Sequence, residues 1–156
     1  GLRWPARLIR RSLERKFSIS ISMDAEFEGY VRFKHPLGTV IGPAKIGNNV
    51  TIYQNVTLGG ARMGDTAAGL APEIGADTTI FAGAKILGGV RVGRNCVIGA
   101  NAVVRTDMPD NALVVGVPAR AIARGPLSGL PGFGSRDATD PERPPSVAKA
   151  KAASAA

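Results

Sequence analysis

Residues 74–104, IGADTTIFAGAKILGGVRVGRNCVIGANAVV, decide how this chain folds. Within them Ile74, Ile80, Ile86, Val92, Ile98 and Val104 recur every six positions. Four residues after each of the first five stands Thr78, Ala84, Val90, Cys96 or Ala102, every one small or aliphatic. Gly often follows the leading aliphatic, as at Gly75, Gly93 and Gly99. A period of six fits neither the 3.6-residue helix nor the two-residue alternation of a simple strand. It fits a coil with three flat sides, one hexapeptide to a side, stacked so that neighbouring coils bury a continuous interior. The leading aliphatic then points inward, and the small residue fills the tighter space near a corner. Asn48, Asn49, Asn95 and Asn101 fall at corners, where a positive φ strains most residues but suits Gly and Asn.

The same rhythm extends toward the N-terminus. Ile21, Phe27 and Phe33 lead three hexads, and Val40, Ile46, Ile52 and Leu58 continue after a slip of one residue at His35-Pro36-Leu37-Gly38. Ala25, Val31, Leu37, Ala44, Val50 and Val56 take the small places. Thirteen leading positions make roughly four coils. A longer break, residues 61–73, holds Gly64, Asp65, Thr66, Gly69 and Pro72 and reads as a loop thrown out of the prism. A solenoid needs neither break for stability, so each is a candidate functional excursion, with a tolerated insertion as the alternative.

Composition agrees with a narrow interior. Aromatics are 5% of the 156 residues and Gly numbers 20, which suits a core of Ile, Val and Ala. The length suits one domain. Cys96 is the single cysteine, so no intrachain disulfide forms, and its place in the repeat makes it a buried filler rather than a nucleophile. No apolar run approaches the about 20 residues that span a bilayer. No targeting segment is visible, and a cytoplasmic location is expected. The net charge of +8 is concentrated in Arg3, Arg7, Arg10, Arg11, Arg15 and Lys16, opposed there only by Glu14. No nucleic-acid motif accompanies it, and an anionic ligand or a membrane surface accounts for it as well.

The ends depart from the repeat. In residues 1–18, Leu2, Trp4, Leu8, Ile9, Leu13 and Phe17 can share one helical face, which predicts a short helix capping the coil stack. Membrane-surface binding is a second reading of that face. The prism is expected over residues 19–122. Residues 123–156 shift to Gly, Pro, Ser and Ala with mixed charge, and a mobile tail is expected there.

Residues 35–60 (HPLGTVIGPAKIGNNVTIYQNVTLGG), residues 80–109 (IFAGAKILGGVRVGRNCVIGANAVVRTDMP) and residues 114–120 (VVGVPAR) together resemble serine acetyltransferases and their relatives in the hexapeptide-repeat acyltransferase superfamily. The likeness runs over about residues 19–122 and lacks the long N-terminal helical domain of true serine acetyltransferases. It implies a left-handed parallel β-helix, a homotrimer and acetyl-CoA lying in a groove between neighbouring prisms. It places His35, the single histidine, at the general base that takes the proton from an acceptor hydroxyl. Imidazole titrates near neutral pH and is suited to that task. A backbone N–H would hold the developing oxyanion. The resemblance puts Ala82 and Ala100 along the pantetheine and Arg105 and Arg120 near the nucleotide phosphates.

Where the family has an aspartate that pairs with the base, this chain has Ser20; where it has an acceptor-binding aspartate just before the base, Lys34; and where it has a second histidine after the loop, Ala71. Ser20 and Glu73 are the candidates to orient His35. The expected activity is therefore acetyl-CoA-dependent O-acetylation of a small hydroxyl, with a sugar or glycoconjugate precursor favoured over L-serine. Lys34 would suit an anionic acceptor such as a nucleotide-linked sugar. A non-catalytic trimeric scaffold or acetyl-CoA-binding protein is the rival of another class. A γ-class carbonic anhydrase would need three histidines for its zinc, so no metal is expected. Nucleotidyl transfer would need a Gly-rich phosphate loop before the repeats, and none stands there. The sequence ends Ser154-Ala155-Ala156, without the isoleucine by which many serine acetyltransferases dock on cysteine synthase, and no such complex is expected.

Overall fold

A computed structural model describes residue 12, residues 14–60 and residues 70–122. The capping face formed by Leu2, Trp4, Leu8, Ile9 and Leu13, most of the loop and the tail lie outside the described residues. The helix is present at Ser12 and Glu14–Phe17, and the Ser18 N–H donates to the Glu14 carbonyl at 3.0 Å. No helix among the described residues is long and apolar enough to cross a membrane.

Short strands, β1 to β15 in chain order, then wind into a left-handed parallel β-helix with three faces. The first face stacks β1 (Ser20–Ile21), β4 (Val40–Ile41), β7 (Thr57–Gly59), β10 (Lys85–Leu87) and β13 (Val103–Val104). The second stacks β2 (Glu26–Phe27), β5 (Lys45–Ile46), β8 (Glu73–Ile74) and β11 (Arg91–Val92). The third stacks β3 (Val31–Phe33), β6 (Val50–Ile52), β9 (Thr79–Ile80), β12 (Val97–Ile98) and β14 (Leu113–Gly116), closed by β15 (Ala119–Ile122). Pairing is parallel throughout except between β14 and β15, an antiparallel pair joined through a cis Val117–Pro118 bond.

Because each strand pairs with the strand one coil away, like residues stack into inward columns. Ile21, Ile41, Leu58, Ile86 and Val104 form one. Phe27, Ile46, Ile74 and Val92 form the second, extended by a bridge from Val92 to Met108. Phe33, Ile52, Ile80, Ile98 and Val114 form the third. From Ile41 onward these residues are buried, and Cys96 is buried among them. Burying each Val, Leu or Ile stabilises by about 1.5–3 kcal/mol. The first face holds five stacked strands, as the thirteen leading positions give it, whereas the third holds five where those positions give four. The added layer comes from Ala112 and Val114, which are buried at spacings the six-residue rhythm does not mark.

Two expected inward positions are corrected. Leu37 is 59% exposed and Val40 44% exposed, whereas Thr39 and Ile41 are buried at 0% and 1%. Residues 35–38 fold into their own turn, with the Leu37 N–H donating to the His35 carbonyl at 2.7 Å and the Thr39 N–H to the Pro36 carbonyl at 3.2 Å. That turn carries Leu37 outward. The register then pairs Ser20 with Val40 and Ile21 with Ile41, so Ile41 continues the column. Phe27 is also 40% exposed, since its first-coil strand pairs with β5 alone among the described strands. At the corners Asn49, Asn95 and Asn101 take positive φ as expected, joined by Asn55, Asp77 and Asn111. Asn48 does not; its side-chain carbonyl instead accepts the Tyr30 N–H at 2.9 Å.

Candidate active site

His35 stands where the chain leaves the third face, two residues after Phe33, with φ at +50°. A non-glycine residue in that region is held there by its surroundings. Before it, the Lys34 N–H donates to the Ile52 carbonyl at 2.8 Å. After it, the Gly38 N–H donates to the Ser18 carbonyl at 3.0 Å, and the Leu37 carbonyl accepts the Asn55 N–H at 2.9 Å. Gly38 has φ of +68°, and a Cβ there would meet the Asn55 side-chain oxygen, so glycine is favoured. The turn is thus tied on both sides to neighbouring coils while the His35 side chain is exposed.

The same corner repeats along the prism. Ile52, Ile80, Ile98 and Val114 are in register, so the residues two places beyond each stack in turn: Gln54, Ala82, Ala100 and Gly116. Leu37 continues the corner on the other side of Gln54, its carbonyl taking the Asn55 N–H, with His35 and Pro36 looped out beside it. The Gly83 N–H donates to the Gln54 carbonyl and the Asn101 N–H to the Ala82 carbonyl, both at 2.9 Å. Ala82 is half-buried and Ala100 exposed, and their small side chains leave the wall shallow. Gly83, at φ +76°, has the Asn101 side chain where its own Cβ would be. One place earlier on the corner, Tyr53 and Phe81 stack with centroids 5.0 Å apart.

Of the residues singled out from sequence, Ala82 and Ala100 share this column, and His35 stands in the turn at its first coil. Arg120 stands at its end: it pairs with Val115 in the β14–β15 hairpin, is exposed, and its Nη1 donates to the Ala119 carbonyl at 3.0 Å. Arg105 is exposed and follows Val104 at the far end of the first face, away from the column within one chain. Ser20 lies beside the His35 turn, its N–H donating to the Thr39 carbonyl at 2.9 Å. Glu73 lies on the second face, between Lys45 and Arg91, and is not brought to His35 within one chain. Ala71 is half-buried before Pro72, whose carbonyl accepts the Lys45 N–H at 3.0 Å. Among the described residues no three His, Cys, Asp or Glu side chains gather as metal ligands.

Sequence reading passed over Gln54. Its Oε1 is buried and has no hydrogen-bond partner among the described residues. The stacking of the coils places it between Leu37 and Ala82, next to the His35 turn, but no motif marks an unpaired amide oxygen.

The family description "Bacterial transferase hexapeptide (six repeats)" matches residues 71–106. A serine acetyltransferase of Staphylococcus xylosus is 41% identical over 118 residues, covering 75% of this chain and 54% of that protein. The crystal structure of Neisseria gonorrhoeae serine acetyltransferase superimposes with a TM-score of 0.69 at 38% identity, over 76% of this chain and 46% of that one. A serine acetyltransferase solved in complex with CoA gives a TM-score of 0.67 at 37% identity, over 76% and 48%. The chain spans about half the length of these relatives. Repeat, coil and corner agree with these likenesses: the chain resembles the hexapeptide-repeat acyltransferases, and the serine acetyltransferases among them.

Proposed function

We propose that this chain transfers the acetyl group of acetyl-CoA to the hydroxyl of a small acceptor, with His35 as general base. The observation that carries the reading is the corner: one exposed imidazole in the turn at its first coil, followed coil by coil by the small residues Ala82 and Ala100 and ending near Arg120. A pantetheine arm can lie against that wall, its thioester at the His35 end and the nucleotide phosphates toward the guanidinium. The acceptor oxygen attacks the thioester carbonyl while an imidazole nitrogen takes its proton. The tetrahedral oxyanion collapses, the carbon–sulfur bond breaks, and the thiolate of CoA leaves to be protonated. Each prism offers one side of such a groove, so the active form is a homotrimer whose neighbours complete it. Arg105 belongs to the phosphate end of the groove in the same reading.

L-Serine is the acceptor that the relatives' names favour. A sugar hydroxyl is the second reading, favoured by Ser20, Lys34 and Ala71 in place of the acceptor-side carboxylates and second histidine that the serine-type pattern carries. Thiol release from acetyl-CoA, followed with L-serine and with a panel of sugars and nucleotide-linked sugars, decides between them. Turnover with L-serine alone supports the first reading and turnover with a sugar alone the second. CoA binding without turnover on any acceptor would leave the non-catalytic scaffold.

A further inference from the structure

The corner column holds one polar side chain that coil stacking does not use. The backbone at Gln54 is already engaged: its carbonyl accepts the Gly83 N–H, the Asn55 N–H donates to Leu37, and the Tyr53 carbonyl accepts the Thr39 hydroxyl. Alanine occupies the equivalent place in the next two coils, so the corner itself does not require an amide. Yet Oε1 of Gln54 is withdrawn from solvent with no donor facing it. A buried acceptor left unmatched is costly, and such a cost is relieved when a ligand brings the missing donor.

We infer that Gln54 binds the acyl donor: its Oε1 accepts a hydrogen bond from the pantetheine amide N–H nearest the thioester. The inference rests on the reading that acetyl-CoA is the donor and lies along this corner. Its carbonyl carbon must then stand at the level of His35, where the acceptor oxygen is deprotonated. Two methylenes separate the sulfur from the first amide nitrogen, roughly one strand spacing of about 4.8 Å. That places the N–H one coil along the corner from the His35 turn, at the level of Gln54. The methyl side chains of Ala82 and Ala100 offer it no acceptor. The acceptor hydroxyl, in contrast, already has the His35 imidazole to receive its proton. A hydrogen bond at Gln54 fixes how far the pantetheine slides along the wall and so sets the carbonyl against the base.

Gln54→Leu keeps the bulk and removes the acceptor; Gln54→Ala copies the residue found at the two corners above and serves if the leucine variant does not fold. The test is calorimetric titration of the intact protein with CoA and with an analogue whose amide N–H nearest the sulfur is replaced by an ester oxygen. For the wild type, the ester analogue should bind about threefold to tenfold more weakly than CoA. For the variant, CoA itself should weaken by about that factor, and the two ligands should bind alike, the two changes being non-additive. A variant that binds CoA as the wild type does, or that loses equally on both ligands, overturns the inference while leaving the donor reading intact. Wild-type protein that binds no CoA overturns both.

Discussion

The hydroxyl of Thr39 donates to the carbonyl of Tyr53, one coil away, at 3.2 Å. Thr39 is wholly buried, in a small inward place that alanine or valine fills in other coils, and this bond is what allows a polar side chain there. It also pins the exit of the His35 turn to the neighbouring coil. Thr39→Val keeps the volume and removes the donor. We expect it to lower unfolding free energy by about 1 kcal/mol, read from denaturant midpoints. An unchanged midpoint would show that the Tyr53 carbonyl finds another partner and that the bond does not hold the turn.

His35→Ala addresses the chemistry. The side chain is exposed, so its removal leaves no core cavity. General-base removal typically costs about 10²–10⁴ in rate. The expected outcome is a folded protein that still binds CoA but transfers acetyl at least roughly a hundredfold more slowly. Transfer at the wild-type rate, measured with the true acceptor, would mean that another group takes the proton.

Sedimentation addresses the assembly. If acetyl-CoA lies along the corner as proposed, a single prism gives only one wall of its groove, and we expect a stable trimer at micromolar concentration. A monomer that nonetheless turns over acetyl-CoA would place the donor on one chain alone and remove the need for Arg105 at the shared site.

The second face carries a ladder of alternating charge. Glu26, Lys45, Glu73 and Arg91 are successive register partners on neighbouring strands. Opposite charges across such pairs contribute about 0.2–1 kcal/mol, and like charges reverse the sign. Glu73→Lys would set three cations in a row. A lower melting temperature that recovers partly at high salt is expected, because surface charges are screened. A salt-independent loss would point to the strand itself rather than to its charges.

The interior of the prism was legible because a buried column repeats one chemical requirement in every coil. Ile46, Ile52, Ile80, Ile86 and Ile98 could be named from spacing alone, as could Cys96 as a filler. The rhythm failed where the backbone makes its own local bonds. At residues 35–41 the turn closed by Pro36 and Thr39 consumes residues without advancing the column, so Ile41 replaces Val40 and Thr39 replaces Leu37. The last coil escaped notice because Ala112 and Val114 fall off the six-residue spacing. His35 is a candidate through resemblance and by being the single histidine. Gln54 left no trace in sequence, since the absence of a hydrogen-bond partner is a property of three-dimensional surroundings.

Gln54, Ala82, Ala100 and Gly116 are separated by whole coils, each advancing about 4.8 Å. The prism therefore works as a graduated rule, with marks set by the hydrogen-bond spacing of parallel strands rather than by the shape of any loop. A coil added between Gln54 and Gly116 would lengthen the reach toward Arg120 by one graduation and leave every inward residue in register. The longer break within residues 61–73 illustrates the complement. It lengthens the chain between Leu58 and Ile86 without shifting their pairing. Distance along the corner is thus counted in repeats, while the excursions between them are free to vary in length, so the two can diverge separately in descent.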